Sequence, residues 1–195
     1  MDILDKIKKL REETGISLME CKKACEETKG DIEAAKEILR KRGQAMASKR
    51  LGRETGEGII DAYIHDNAKI GVLLDIRCES DFVARSDDFK TLSKEICLQI
   101  TAMNPLYLDE EFIPADQLEK EKSIIKEQLK DIDKPADILD KVIEGKIKAY
   151  IDENCLLSQK WIKDPEKRIR DLIEEAIAKT GENITLGRFT RYELR

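Results

Sequence analysis

Ile3, Leu4, Ile7 and Leu10 recur at three- and four-residue steps, the spacing that puts apolar side chains on one face of an α-helix, and Thr14-Gly15 ends that helix. Ser17-Leu18-Met19-Glu20 reads as a capping box, with the Ser17 hydroxyl and the Glu20 carboxylate both answering amide donors at a helix start. The second helix runs to about Lys29, where Gly30 stops it. Asp31 then caps a third, striped by Ile32, Ala35, Ile38 and Leu39. Residues 1–43 are therefore expected to form a three-helix domain. Residues 44–57, QAMASKRLGRETGE, are expected to be a basic linker, or a helix fraying into one.

The period changes after Gly58. GIIDAYIH and KIGVLLDIRC alternate in the manner of strands, with Ile70, Val72, Leu74 and Ile76 on one face, and Asp66-Asn67 between them predicts a hairpin. Phe89, Leu92, Ile96, Ile100 and Met103 return to helical spacing until Asn104-Pro105. Residues 114–154 predict a helical hairpin, with Leu118, Ile125 and Leu129 on one arm, Ile138, Val142 and Ile147 on the other, and DIDKPAD as the link. Asp164-Pro165 reads as an N-cap and first-turn proline of a further helix that Gly181 closes. NITLGRFTRYEL predicts a third strand. The expected class is α+β, with a small antiparallel sheet packed by helices in a core of residues 58–195.

Of the 195 residues, 41% are hydrophobic, enough for a buried core, and no window approaches an apolar membrane span. Five cysteines without a CxxC pair fit a reducing compartment, so the cytosol is the expected location. Cys21 and Cys25, four apart, read as small apolar residues of a helix rather than metal ligands, since the chain has one histidine, His65. Net charge is -5, but residues 1–56 carry 14 Lys or Arg against 11 Asp or Glu. Arg40, Lys41, Arg42, Lys49, Arg50 and Arg53 follow one another without an intervening acid. That run reads as a solvated helix end or as a surface for phosphate or an acidic protein; without aromatic platforms it predicts no specific nucleic-acid binding.

Catalytic motifs are missing from the sequence: there is no phosphate loop, dinucleotide fingerprint or nucleophile elbow. Neither an enzyme nor a cofactor is expected. One stretch stands out, CESDFVARSDDF at Cys78 to Phe89, where a strand is left through an acidic turn carrying Phe82. The ring either folds back into the core, with Ser80 merely capping a helix, or is held out for another molecule.

Leu10-Arg11, Thr14-Gly15 and Leu18-Met19 with Cys21-Lys22-Lys23-Ala24, followed by CESDFVAR, resemble bacterial elongation factor Ts. GDIEAA, VIEGKIKAY, CLLSQ, KDP and the closing RFTRYE extend the resemblance over nearly the whole chain. Ser80 stands where Thr is common in the family, and Leu18 where Met is frequent; the first change keeps the hydroxyl. The resemblance implies a guanine-nucleotide exchange factor for the GTPase elongation factor Tu in its GDP form, with an N-terminal ubiquitin-associated-like domain. It further implies that Ser80, Asp81, Phe82 and Val83 form the turn that disturbs the partner's magnesium ion and phosphate loop. Arg11, Leu18 and Met19 would lie on the contact with the GTPase. Because longer relatives resemble a core with a duplicated half, a homodimer is expected, with hairpin 114–154 or the strand at Arg188–Leu194 at its interface.

Overall fold

A computed structural model describes residues 2–130 and 135–194. Helix α1 (Ile3–Thr14) starts where the Asp2 carboxylate accepts the Ile3 amide at 2.7 Å, and ends at Gly15, whose φ of 67° only glycine adopts without strain. Ser17 caps α2 (Leu18–Glu27) by accepting the Glu20 amide, and Asp31 caps α3 (Ile32–Arg50) through the Ala34 amide. Only half of the expected capping box is seen, because the Glu20 carboxylate takes Lys23 and Arg42. These helices bury Ile7, Leu10, Cys21, Ala24, Cys25, Ala35 and Leu39 together, with Ile16, Ile32 and Ile38 against them.

Helix α3 runs on through Gly43 to Arg50, so residues 44–50 of the stretch read as a linker are helical. Its Gln, Ala, Met, Lys and Arg favour helix, Ala47 is buried, and Gly43 lets the helix come close to Ala178, whose Cβ lies 3.0 Å from where a glycine-replacing Cβ would stand. Four cations of the basic run are already paired: Lys41 with Glu37, Arg42 with Glu20 and Glu27, and Arg50 and Arg53 with Glu79.

Strands β1 (Glu57–Ile64), β2 (Ile70–Cys78) and β5 (Ile184–Glu193) form one sheet in the order β1-β2-β5. The β1-β2 turn is closed by Asn67, whose side-chain Oδ1 accepts the Lys69 amide at 2.9 Å. Along β2 the expected face is buried at Val72, Leu74 and Ile76 and half-buried at Ile70, and the buried Cys78 continues it. The chain forms two compact units, Met1–Asp61 with Leu74–Glu95 and Asp171–Gly187, and Ala62–Leu73 with Ile96–Arg170 and Arg188–Arg195. In the first, Asp75 is buried beside Arg77, and Gly187 is required because a Cβ there would meet the Asp75 carboxylate.

After the short helix α4 (Asp81–Arg85), helix α5 (Asp87–Met103) buries Phe89, Leu92, Ile96 and Ile100, whereas Met103, expected on the same stripe, is 46% exposed at the last turn. In the second unit α6 (Ala115–Gln128) and α7 (Ala136–Asn154) make the helical hairpin, with Ile125 and Leu129 buried and Lys146 donating to Gln128. Residues 131–134 of the expected DIDKPAD link lie outside the described residues.

Asp164-Pro165 does not open a helix. Residues Asp164–Arg168 are strand β4, paired antiparallel with β3 (Lys160–Trp161), and helix α8 (Ile169–Thr180) begins only after them. The fully buried Gln99 decides this: its amide nitrogen donates to Gln159 and to the Lys160 carbonyl, and its oxygen accepts the Ile162 amide. Asp164 uses its carboxylate inside the turn, for the Glu166 amide, and Arg168 is held by Asp152 and the Ser158 carbonyl. Gly181 closes α8, as expected.

Candidate functional site

Strand β2 ends at Cys78, and within three residues the chain has entered α4 with Ser80 as its cap. The Ser80 hydroxyl accepts the Val83 amide at 3.4 Å, and its carbonyl accepts the Ala84 amide at 3.2 Å. The helix stops at Ser86, whose hydroxyl donates to the Val83 carbonyl and accepts the Phe89 amide, so that one serine ends α4 and starts α5. Ala84 faces inward and is buried; Asp81 and Val83 are half-buried. Phe82 faces outward, 84% exposed, the most exposed of the large apolar side chains described. Asp81 reaches Arg85 at 3.2 Å on the surface.

The base of the turn is tied down by two carboxylates. Glu182 accepts both the Ser80 amide, at 2.9 Å, and the Ser80 hydroxyl, at 2.5 Å. Glu79 accepts the Asn183 amide at 2.6 Å and faces Arg50 and Arg53 at 3.5 Å each. The Asn183 amide, then Arg53 and Arg50, hold the Glu79 carboxyl below the usual carboxylate range. Beneath the turn the Cys78 thiol donates to the Ser80 carbonyl at 3.1 Å; burial, with Glu182 nearby, pushes it up to about 11. Sequence reasoning passed over Glu79, Glu182 and Asn183. An acid and an amide directly after a helix-closing glycine, in Gly181-Glu182-Asn183, were the available signal.

Ser80, Asp81, Phe82 and Val83 thus share one anchored turn. Arg11, Leu18 and Met19 lie elsewhere, on α1 and at the start of α2; all three are exposed, as are Ile3 and Leu4 in the first turn of α1. His65 is half-buried, with its Nδ1 at 3.2 Å from the Tyr63 hydroxyl. Within the Ser80–Val83 turn the Ser80 hydroxyl is committed to Glu182 and to the Val83 amide. What the turn offers is shape, a projecting ring on a fixed mount with a carboxylate beside it. No helix among the described residues is long and apolar enough to cross a membrane.

The family model described as "Elongation factor TS" matches residues 2–194. Elongation factor Ts of Thermotoga petrophila is 54% identical over 191 residues, covering 98% of this chain and 95% of its own length. The Fervidobacterium nodosum protein of that name is 53% identical over 188 residues, covering 96% and 95%. That of Thermoanaerobacter sp. (strain X514) is 51% identical over 187 residues, covering 96% and 92%. By its sequence over almost its full length, the chain belongs to the elongation factor Ts family.

Proposed function

We propose that this chain releases GDP from elongation factor Tu, nucleotide exchange on that GTPase being its family's general role, and that Phe82 is the wedge that does so. One observation carries the reading: a phenylalanine ring 84% exposed on a turn whose base is held by Glu182 and Glu79. Leaving such a ring in water forfeits the stabilisation that burial brings, about 1.5–3 kcal/mol, and a partner that receives it recovers this.

The GTPase holds GDP through amide donors at its phosphates and through Mg²⁺, whose octahedral shell tolerates little distortion. A rigid group that fits only the distorted GTPase stabilises that form. By linkage, GDP and the factor then weaken each other's binding equally. No bond is made or broken in this exchange. Ser80 and Val83 carry the turn and Phe82 supplies the ring. Asp81 brings negative charge to the metal site; its exposed pair with Arg85 costs little to open. Arg11, Leu18 and Met19 dock the N-terminal helices, residues 1–43, on the GTPase domain, while residues 58–195 are the core that presents the turn and pairs two copies in the cytoplasm.

For the homodimer, the strand at Arg188–Leu194 is favoured over hairpin 114–154. Ile64, Leu73, Tyr192 and Leu194 are all exposed and line one apolar groove with Ala62 and Gly71. A second copy of the chain covers that groove; light scattering that reports a monomer at micromolar concentration disposes of this. The exchange reading is tested by release of fluorescent GDP from elongation factor Tu with the intact chain, Asp81→Ala and Phe82→Ala. Phe82→Ala is expected to slow release severely without abolishing it, and unchanged kinetics refute the wedge.

A further inference from the structure

A helix of five residues does not hold itself together in water, because its few hydrogen bonds do not offset the cost of nucleation. The direction in which α4 points its ring is therefore set by what holds its capping residue. That residue is Ser80, whose partner stands 102 positions away: Glu182 uses Oε1 for the Ser80 hydroxyl and Oε2 for the Ser80 amide. A hydroxyl has one proton to give and two lone pairs. With the proton committed to Glu182, the oxygen is oriented to accept the Val83 amide, the hydrogen bond that starts α4.

Glu182 is itself fixed on both sides. Its amide faces the Thr180 hydroxyl at 3.3 Å, Gly181 before it has a φ of 77°, and Asn183 after it is buried, giving its amide to Glu79 and its side-chain nitrogen to the Arg53 carbonyl. A carboxylate so placed grips two points of one residue and leaves that residue little freedom to rotate.

We propose that Glu182 is a positioning residue for nucleotide exchange: by gripping the amide and hydroxyl of Ser80 it fixes the direction in which Phe82 projects. The inference rests on the reading of Phe82 as the wedge. It also gives position 80 a second requirement beyond capping, a hydroxyl with a proton to donate, which Ser and Thr meet and Ala does not.

The test is release of fluorescent GDP from elongation factor Tu by the full chain, each variant titrated so that the maximal rate and the half-saturating concentration are separated. Glu182→Ala lowers the maximal rate about tenfold and moves the half-saturating concentration less than twofold. Glu182→Gln, which keeps a carbonyl for the Ser80 amide, recovers most of the rate. In a Phe82→Ala background Glu182→Ala adds nothing further, because a residue that acts through the ring has no ring left to direct. Independent, multiplying effects of the two substitutions overturn the proposal, as does a wild-type maximal rate for Glu182→Ala. If Phe82→Ala itself exchanges at the wild-type rate, it is the wedge reading that fails. Circular dichroism shows whether Glu182→Ala folds. If it does not, Ser80→Thr and Ser80→Ala carry the test: retained rate for the first and a loss that vanishes in the Phe82→Ala background for the second support the grip, and equal rates for the two sink it.

Discussion

Phe82 and Phe89 are the same residue seven positions apart, and they are expected to fail in opposite ways. Phe82 is 84% exposed and Phe89 is fully buried. Alanine at 82 removes almost nothing from the folded chain's own contacts, so stability is expected to stay within about 0.5 kcal/mol of wild type. What it removes is the ring's burial in the partner, about 1.5–3 kcal/mol, which at 1.4 kcal/mol per decade slows exchange by roughly 10- to 150-fold. Loosening a nucleotide a thousandfold takes about 4 kcal/mol. Docking by other surfaces must therefore supply the remainder, and the variant keeps measurable activity. Alanine at 89 leaves a cavity under α5 and costs about 3–5 kcal/mol, which for a chain of this size lowers the melting temperature by roughly 6–20 °C. Stopped-flow release of fluorescent GDP, paired with thermal melts of both variants, separates the two effects. A Phe82→Ala chain that melts well below wild type, or that exchanges as fast as wild type, refutes the assignment of the ring to a partner rather than to its own core.

Gln99→Leu is expected to cost about 2–5 kcal/mol in a denaturant melt, because it strands the Gln159 side-chain oxygen, the Lys160 carbonyl and the Ile162 amide that Gln99 now satisfies; a loss below 1 kcal/mol removes Gln99 as the organiser of β3 and β4. All five cysteines are buried thiols, and that of Cys78 is pushed up to about 11, so a disulfide reagent at pH 8 should find no fast thiol until the chain is unfolded; a rapid reaction mapped to Cys78 contradicts this. Hydrogen bonding to Arg168 holds the Asp152 carboxyl below its ordinary 3.8. The folded form therefore binds that proton less readily than the unfolded form, and the stabilisation is present above about 3.8 and lost as pH falls through the depressed folded value. Asp152→Asn should flatten the acid limb of the stability curve, and an unaltered limb excludes this pair as a contributor.

Much of the fold was legible because it is written in contacts of short range. Ser17 and Asp31 cap the helices that follow them, Gly15 and Gly181 stop helices with left-handed backbone, and the alternation of β2 buries most of the expected face. The errors fall where a distant partner overrides the local signal. Asp164-Pro165 has the chemistry of a helix start and of a tight turn alike, and Gln99, more than sixty positions earlier, selects the turn. Gly43 looks like a breaker until Ala178 comes against it and makes a small residue the one that fits. Met103 keeps helical spacing but sits on the final turn, where the stripe has left the core.

The site divides along the same line. Residue pattern left the Phe82 ring either in the core or in the open, and only the resemblance favoured the open; the ring stands exposed. Its stiffness was out of reach of any local reading, since α4 has five residues and Ser80 could be seen to cap it but not to be gripped from residue 182. A projecting aromatic on a frayed turn would collapse onto the nearest apolar surface to recover its burial energy, and a wedge that can fold away loses force as it meets resistance. Exchange by displacement therefore demands that the turn be held from outside itself. In this chain the hold on Ser80 comes from Glu182, while Glu79, the residue before it, accepts the Asn183 amide; the carboxylate that grips the turn therefore lies outside the motif that carries the ring.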